Sequence, residues 1–344
     1  MPDIFFEDLA VGASGQCGPR PVTRDEIVAF ARDFDPQPFH LDEEAAKGTF
    51  VGELIASGWQ TCALVMRIMY DGMIAQSSSM GSPGVEEVKW LGPVRPGDSL
   101  TAHWEVLETR VSKKRPDMGL VRMRIRLFDQ RGLGVYEQLF WMMAGLRGAA
   151  SPHGEARQRE ADAGPAAMPK ARPEAPAALS GKALIAQAYF HNLVEGETHE
   201  LGSYTFTPEP IVAFAKIYDP QPFHVDPDSA ARSHFGALCA SGWHTGAACM
   251  RKLIDRKSRI REALLAQGLT PPAMGPSPGF KDLVWHRPVY AGDTITFATS
   301  LVSKRESASR PGWGLTFSRN TGTNQKGELV YSFVGSVFVE TRGP

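Results

Sequence analysis

The sequence predicts two tandem α+β units, each built of one buried helix with an antiparallel sheet wrapped around it. Three observations carry that reading. The second half of the chain repeats the first. Each half contains one segment that is apolar nearly all round. Each such segment is followed by four strand-like runs separated by turn signals.

The repeat is plainest around a hexapeptide, Asp-Pro-Gln-Pro-Phe-His, written at Asp35–His40 and again at Asp219–His224. Across Val28–Asp42 and Val212–Asp226, 11 of 15 positions are identical. The offset is 224 − 40 = 184, and it also matches Ser57 with Ser241 and Trp59 with Trp243. Further on it becomes 285 − 90 = 195, matching Trp90 with Trp285, so the second copy carries 195 − 184 = 11 extra residues, placed around Lys257 to Pro272. Two long copies are a domain duplication, because solenoid units run only about 20–50 residues. A chain of 344 residues accommodates two such domains. The boundaries fall at 1–147 and 181–344. Between them, residues 148–180 are rich in alanine, proline and charge and read as a partly extended linker.

The elements follow in the same order in each half. Thr23 to Glu26 has the form of a capping box, with Thr23 accepting from the helix and Glu26 reaching back. Ile27, Phe30, Ala31 and Phe34 then form the stripe of a short amphipathic helix. The second copy uses Thr207 as cap, Pro208 at the first helical position, and Ile211, Phe214, Ala215 and Tyr218 as the stripe. Pro36 and Pro38 end the first helix, which leaves Asp35 and His40 on a loop. Ser57 to Tyr70 is apolar on most sides and predicts a buried helix, with Ser241 to about Ile254 as its counterpart. Strands are expected at Val85–Leu91, Ser99–Leu107, Leu120–Phe128 and Val135–Met143. Their counterparts are Lys281–His286, Thr294–Leu301, Gly314–Asn320 and Leu329–Val339.

Composition removes several classes of function. A net charge of −1 lacks the basic excess of a nucleic-acid binder. No apolar run approaches the roughly 18 residues of a membrane span, and the first residues lack the apolar core of a secretion signal. Cys17, Cys62, Cys239 and Cys249 show no framework spacing, and three of them, in or beside apolar segments, read as reduced core thiols of a cytoplasmic protein. His234, His244 and His286 face Phe50, Gln60 and Leu91 in the other copy. The shared chemistry therefore does not need them, and no metal is expected.

An aspartate and a histidine five residues apart are the minimum equipment for moving protons. Alone they would read as a helix cap and a surface histidine. Written twice, on a proline-locked loop before a buried helix that starts with glycine, they read as a site. The residues resemble the MaoC-like dehydratase or (R)-specific enoyl-CoA hydratase branch of the hotdog fold, whose motif runs G-D-x-N-P-x-H with an aspartate and a small residue beyond. Asp35, Pro38, His40, Asp42 and Ala45 fit, as do Asp219, Pro222, His224, Asp226 and Ser229 or Ala230. Gln37 and Gln221 replace the asparagine, and Phe34 and Tyr218 replace the glycine, which leaves the loop's hydrogen bonding open.

The resemblance implies a double hotdog and a lyase of acyl-CoA and fatty acid metabolism, reversibly hydrating a trans-2-enoyl-CoA to the (R)-3-hydroxyacyl-CoA. It implies no cofactor beyond coenzyme A as part of the substrate. Asp35 and Asp219 would be the bases that activate water, with His40 and His224 orienting it. Gly58 and Gly242, at helix starts, would offer amides to the thioester oxygen as charge develops. Each half is expected to pack its sheet against the other, reproducing a homodimer within one chain, with two potential sites near the junction. Further oligomerisation stays open. The 11 extra residues are placed to cover one pocket and make the sites unequal. The basic segments Arg110–Arg115 and Arg305–Arg310 are either contacts for coenzyme A phosphates or solvated turns. Trp59 and Trp243 are either core anchors or acyl contacts. Two alternatives stand beside hydration. One is an acyl-CoA thioesterase of the same fold, against which the lack of a carboxylate in Ser57–Tyr70 counts. The other is a non-enzymatic acyl-thioester-binding protein.

Overall fold

A computed structural model describes residues 2–149 and 187–343, so nearly all of the expected linker lies outside the described residues. The first half runs β1 (Ser14–Pro21), α1 (Arg24–Phe34), α2 (Pro38–Leu41), α3 (Glu43–Lys47), α4 (Gly58–Gly72), β2 (Gly84–Trp90), β3 (Ser99–Val111), β4 (Met118–Phe128) and β5 (Gly134–Gly145). The second half repeats it as β6 (Thr198–Thr205), α5 (Pro208–Tyr218), α6 (Pro222–Val225), α7 (Pro227–Arg232), α8 (Gly242–Ala266), β7 (Gly279–Trp285), β8 (Thr294–Glu306), β9 (Trp313–Thr323) and β10 (Leu329–Glu340). The architecture is α+β, as the patterning requires.

The two halves meet differently from the sheet-against-sheet packing expected. The ten strands among the described residues form one antiparallel sheet, ordered β1-β3-β4-β5-β2-β7-β10-β9-β8-β6. The halves join edge to edge through β2 and β7, with Gly84 opposite Val284 and Val88 opposite Phe280. Each half would otherwise expose a strand edge at this point, and mutual pairing removes both edges. α4 and α8 pack on the sheet and against one another, and one continuous core of buried side chains spans both halves. At the centre of the junction Trp59 stacks on Phe280, with ring centroids 4.9 Å apart, and meets Trp243 edge-on. Both tryptophans therefore anchor the core.

The sequence reading misses two strands, β1 and β6. They form the outer edges of the sheet, where Pro19 and Pro21 are tolerated and few side chains are buried, so alternation is weak. The capping expectation is half right. The Thr23 hydroxyl accepts from the Glu26 amide at 3.2 Å, but the Glu26 carboxylate pairs with Arg20 rather than reaching back. Thr207 makes no side-chain cap bond, and Pro208 alone sets the start of α5. α4 ends at Gly72, whereas α8 continues to Ala266, so the extra residues begin by lengthening the buried helix.

Candidate functional site

Asp35 caps the C-terminal end of α1, directly after Phe34, and Pro36 prevents the helix from continuing. Pro38 opens the single turn α2, so His40 lies on a short helix and not on the open loop expected. Asp42 then caps α3, its carboxylate accepting from the Ala45 amide at 2.9 Å, which gives the two outlying motif positions a structural job. The proline-set turns bring Asp35 and His40 to the start of α4, and both are buried, at 2% and 4% exposure.

Each atom of the pair is oriented. Asp35 Oδ2 accepts from the Ser57 hydroxyl at 2.6 Å, and Oδ1 accepts from the Gln37 amide at 2.8 Å. His40 Nδ1 lies 2.8 Å from the Ile55 carbonyl oxygen, which can only accept, so Nδ1 carries the proton. In the neutral ring the bare Nε2 then faces Asp35 Oδ2 at 3.5 Å. Two acceptors facing one another can share a donor that offers two hydrogens, and water is such a donor.

The second copy reproduces this within a fraction of an ångström. Asp219 accepts from Ser241 at 2.6 Å and from Gln221 at 2.9 Å, while His224 places Nδ1 2.8 Å from the Cys239 carbonyl and Nε2 3.6 Å from Asp219. The glutamines that depart from the family motif thus supply the second hydrogen bond to each aspartate, which answers how the loop is bonded. The serines hold a second role. Each caps its buried helix by accepting from the amide of Trp59 or Trp243 at 3.2 Å. The sequence comparison matches these serines but gives them no function.

Gly58 and Gly242 sit at the first position of α4 and α8, where an amide has no acceptor within its own helix. Neither could carry a Cβ. It would lie 2.5 Å from the Trp90 ring at Gly58 and 2.3 Å from the Trp285 ring at Gly242. Trp90 donates to the Gly58 carbonyl at 3.0 Å, whereas the indole nitrogen of Trp285 has no such partner.

The Asp35 pair opens into a cleft of about 1060 Å³ whose walls come from both halves, including Gly58 and Trp90 on one side and Lys257, Phe280 and Arg310 on the other. The extension of α8 forms part of its wall. Arg310 of the second basic segment faces this cleft, while Arg115 of the first is held by Asp117 at 2.6 Å.

Two arginines unnoticed in the sequence tie each site to the opposite half. Arg251 of α8 donates to the carbonyls of Arg32 and Asp33, at the end of the helix that delivers Asp35. Arg67 of α4 does the same for Lys216 and Ile217, ahead of Asp219. The signal for both was their match at the 184 offset, together with Asp71 and Asp255 four residues on.

The histidines without counterparts do other work. His244 stacks on Phe214 with centroids 4.7 Å apart, and burial pushes its ring down to about 3. His286 bonds Ser332, and His234 packs against Phe223 and Phe235, with burial pushing its ring down to about 4. Among the described residues no group of three or more His, Cys, Asp or Glu side chains could hold a metal ion. No described helix is long and apolar enough to cross a membrane.

The family model described as "MaoC like domain" matches residues 11–122 and 190–312, one match in each half. Among curated proteins, the uncharacterized protein YdeM of Bacillus subtilis is 30% identical over 133 residues, 38% of this chain and 92% of that protein. A 3-hydroxybutyryl-CoA dehydratase of Methylorubrum extorquens is 28% identical over 117 residues, 33% of this chain and 69% of that protein. Among solved structures, Rv0216 of Mycobacterium tuberculosis, described as having a double hotdog fold, aligns with a TM-score of 0.68. The alignment has 15% identity and covers 97% of this chain and 98% of that one, a likeness of fold.

Proposed function

This chain belongs to the MaoC-like domain family and has its double hotdog fold, and we propose that it reversibly hydrates a trans-2-enoyl-CoA to the (R)-3-hydroxyacyl-CoA. The units 1–147 and 181–344 are each proposed to supply one site. The observation that carries the reading is the facing pair of acceptors, Asp35 Oδ2 and His40 Nε2, repeated at Asp219 and His224. The curated dehydratase of a 3-hydroxyacyl-CoA is consistent with it.

The chemistry follows from the geometry. A water donating one hydrogen to the carboxylate and one to the imidazole keeps an oxygen lone pair aimed outward. As that oxygen bonds to the β-carbon, Asp35 takes a proton from it, and electron density moves through the α-carbon onto the thioester oxygen. The amide of Gly58, at the positive end of a 15-residue helix, is the donor proposed for that developing charge. Return of the proton to the α-carbon on the same face completes the addition, with His40 assisting. Ser57 and Gln37 fix the carboxylate so that little reorganisation is needed at the moment of reaction.

One assay separates the readings. With crotonyl-CoA, hydration removes the conjugated double bond and releases no thiol, giving the (3R)-hydroxy product. Release of free coenzyme A would make the protein a thioesterase, and saturable binding with neither change would make it an acyl-thioester-binding protein.

A further inference from the structure

We propose that the Asp35/His40 cleft takes an acyl thioester whose acyl group carries a second anionic group, a carboxylate, and that Lys257 is the residue that reads it. The proposal deepens the hydration reading by naming a substrate class for one of its two sites. α4 and α8 are register equivalents, matched at Gly58 with Gly242, Arg67 with Arg251 and Asp71 with Asp255. Each runs from its own half toward the aspartate of the other. What each helix sends there differs. α4 brings the Tyr70 hydroxyl within electrostatic reach of Asp219, and α8 brings the Lys257 ammonium within reach of Asp35. At the register of Lys257 the first half has Met73, buried and apolar, where α4 ends. The two reaction centres match, and the residue beside them does not.

Lys257 is half-buried and lines the cleft. Among the described residues no hydrogen bond or ion pair engages its ammonium, although a desolvated cation is unfavourable without a partner. Asp35 is not that partner, since its oxygens are turned to Ser57, Gln37 and His40. Two other carboxylates line the cleft, Glu53, which is paired with Arg95 at 2.6 Å, and Glu197, and neither forms an ion pair with Lys257. Burial lowers the ammonium's pKa and the Asp35 charge opposes that shift, as expected of a cation held in the cleft without its own counter-ion. Arg261 and Arg310 add positive charge to the same cleft. The phosphates of coenzyme A lie a full pantetheine arm from the reacting carbons. α8 is held by Arg251 to the carbonyls of Arg32 and Asp33, just ahead of Asp35, and six residues on it places Lys257 in the wall of the same cleft, so this cation addresses the acyl end. An acyl carboxylate there completes an ion pair that a methyl terminus leaves open.

The test is a binding titration with saturated thioesters that cannot be hydrated: glutaryl-CoA and adipyl-CoA against butyryl-CoA. The full chain is compared with Lys257→Met and Lys257→Arg. At least one dicarboxylic thioester should bind the unmodified chain tenfold or more tighter than butyryl-CoA, about 1.4 kcal/mol. Lys257→Met should bring that ratio to within twofold while leaving butyryl-CoA binding within twofold, and Lys257→Arg should keep the preference. Absence of the preference in the unmodified chain overturns the proposal, as does its survival in Lys257→Met. An equal loss for both ligand types would make Lys257 structural and also overturn it. Crotonyl-CoA hydration on the same samples keeps the two readings apart. Preference without hydration leaves Lys257 standing and removes the reaction, and hydration without preference does the reverse.

Discussion

The crosswise arginines make a prediction that depends on two halves acting on one another. Arg251→Ala removes two hydrogen bonds, at 2.8 and 3.2 Å, from carbonyls in the last turn of α1, the helix that leads into Asp35. A buried charged hydrogen bond contributes about 1.5–3 kcal/mol, and a cation at an exposed helix C-terminus about 0.3–1 kcal/mol. The Arg251 side chain is 36% exposed and shared with Asp255, so a value between these ranges applies, about 1–2 kcal/mol. That energy restrains the placement of Asp35, in the first half, although the substitution lies in the second. Crotonyl-CoA hydration would be measured for Arg251→Ala in an Asp219→Asn background, which reports the first site, and in an Asp35→Asn background, which reports the second. Activity at the first site should fall about five- to thirtyfold, with the second unchanged within twofold. Arg67→Ala should give the mirror image. Equal losses at both sites, or a loss confined to the site in the arginine's own half, would refute crosswise positioning.

Other consequences can be checked directly. Gly58→Ala drives a methyl into the Trp90 ring and should destabilise the fold by about 1–3 kcal/mol in urea titrations. It should also lower kcat/KM at the first site alone. Burial raises Cys62 to about 12 and Cys249 higher still, so neither should react with iodoacetamide at pH 8 until denaturant is added. His244 is depressed to about 3 in the fold but titrates near 6.5 when unfolded. The unfolded chain therefore binds the extra proton between those values. Stability from this residue is complete above about pH 6.5 and is lost as pH falls toward 3. His244→Gln, which installs the residue of the first half, should lose less stability than the unmodified chain between pH 7 and 4. A steeper loss in the variant would contradict the assignment.

The duplicated pattern made the core of this molecule legible. Trp59 and Trp243 marked the buried helices because their segments are apolar on nearly every side, and the Asp/His pairs stood out because each is locked between prolines. β1 and β6 escaped because an edge strand buries little and so imprints no alternation. The joining of the halves through β2 and β7 was also hidden, since a strand paired on both sides carries the same apolar pattern whichever chain segment supplies its neighbour. Ser57 and Gln37 were visible as matched residues, but their hydrogen bonds to Asp35 depend on a fold around α1 and α4 that spacing does not encode. Lys257 stands in register with Met73 of the first half, so no matched lysine draws attention to it. Its place beside Asp35 comes from α8 continuing past the point where α4 stops.

The central claim is that each aspartate activates water in its own site. Steady-state hydration of crotonyl-CoA by the unmodified chain, Asp35→Asn, Asp219→Asn and the double variant tests it most directly. Asparagine keeps the shape and the hydrogen bond from serine while removing the base. The account predicts that each single variant retains the activity of the remaining site and that the double variant loses at least about a hundredfold, the lower range for general acid–base catalysis. A double variant as active as the unmodified chain would contradict the assignment of the site, and one silent single variant would confine the chemistry to the other half.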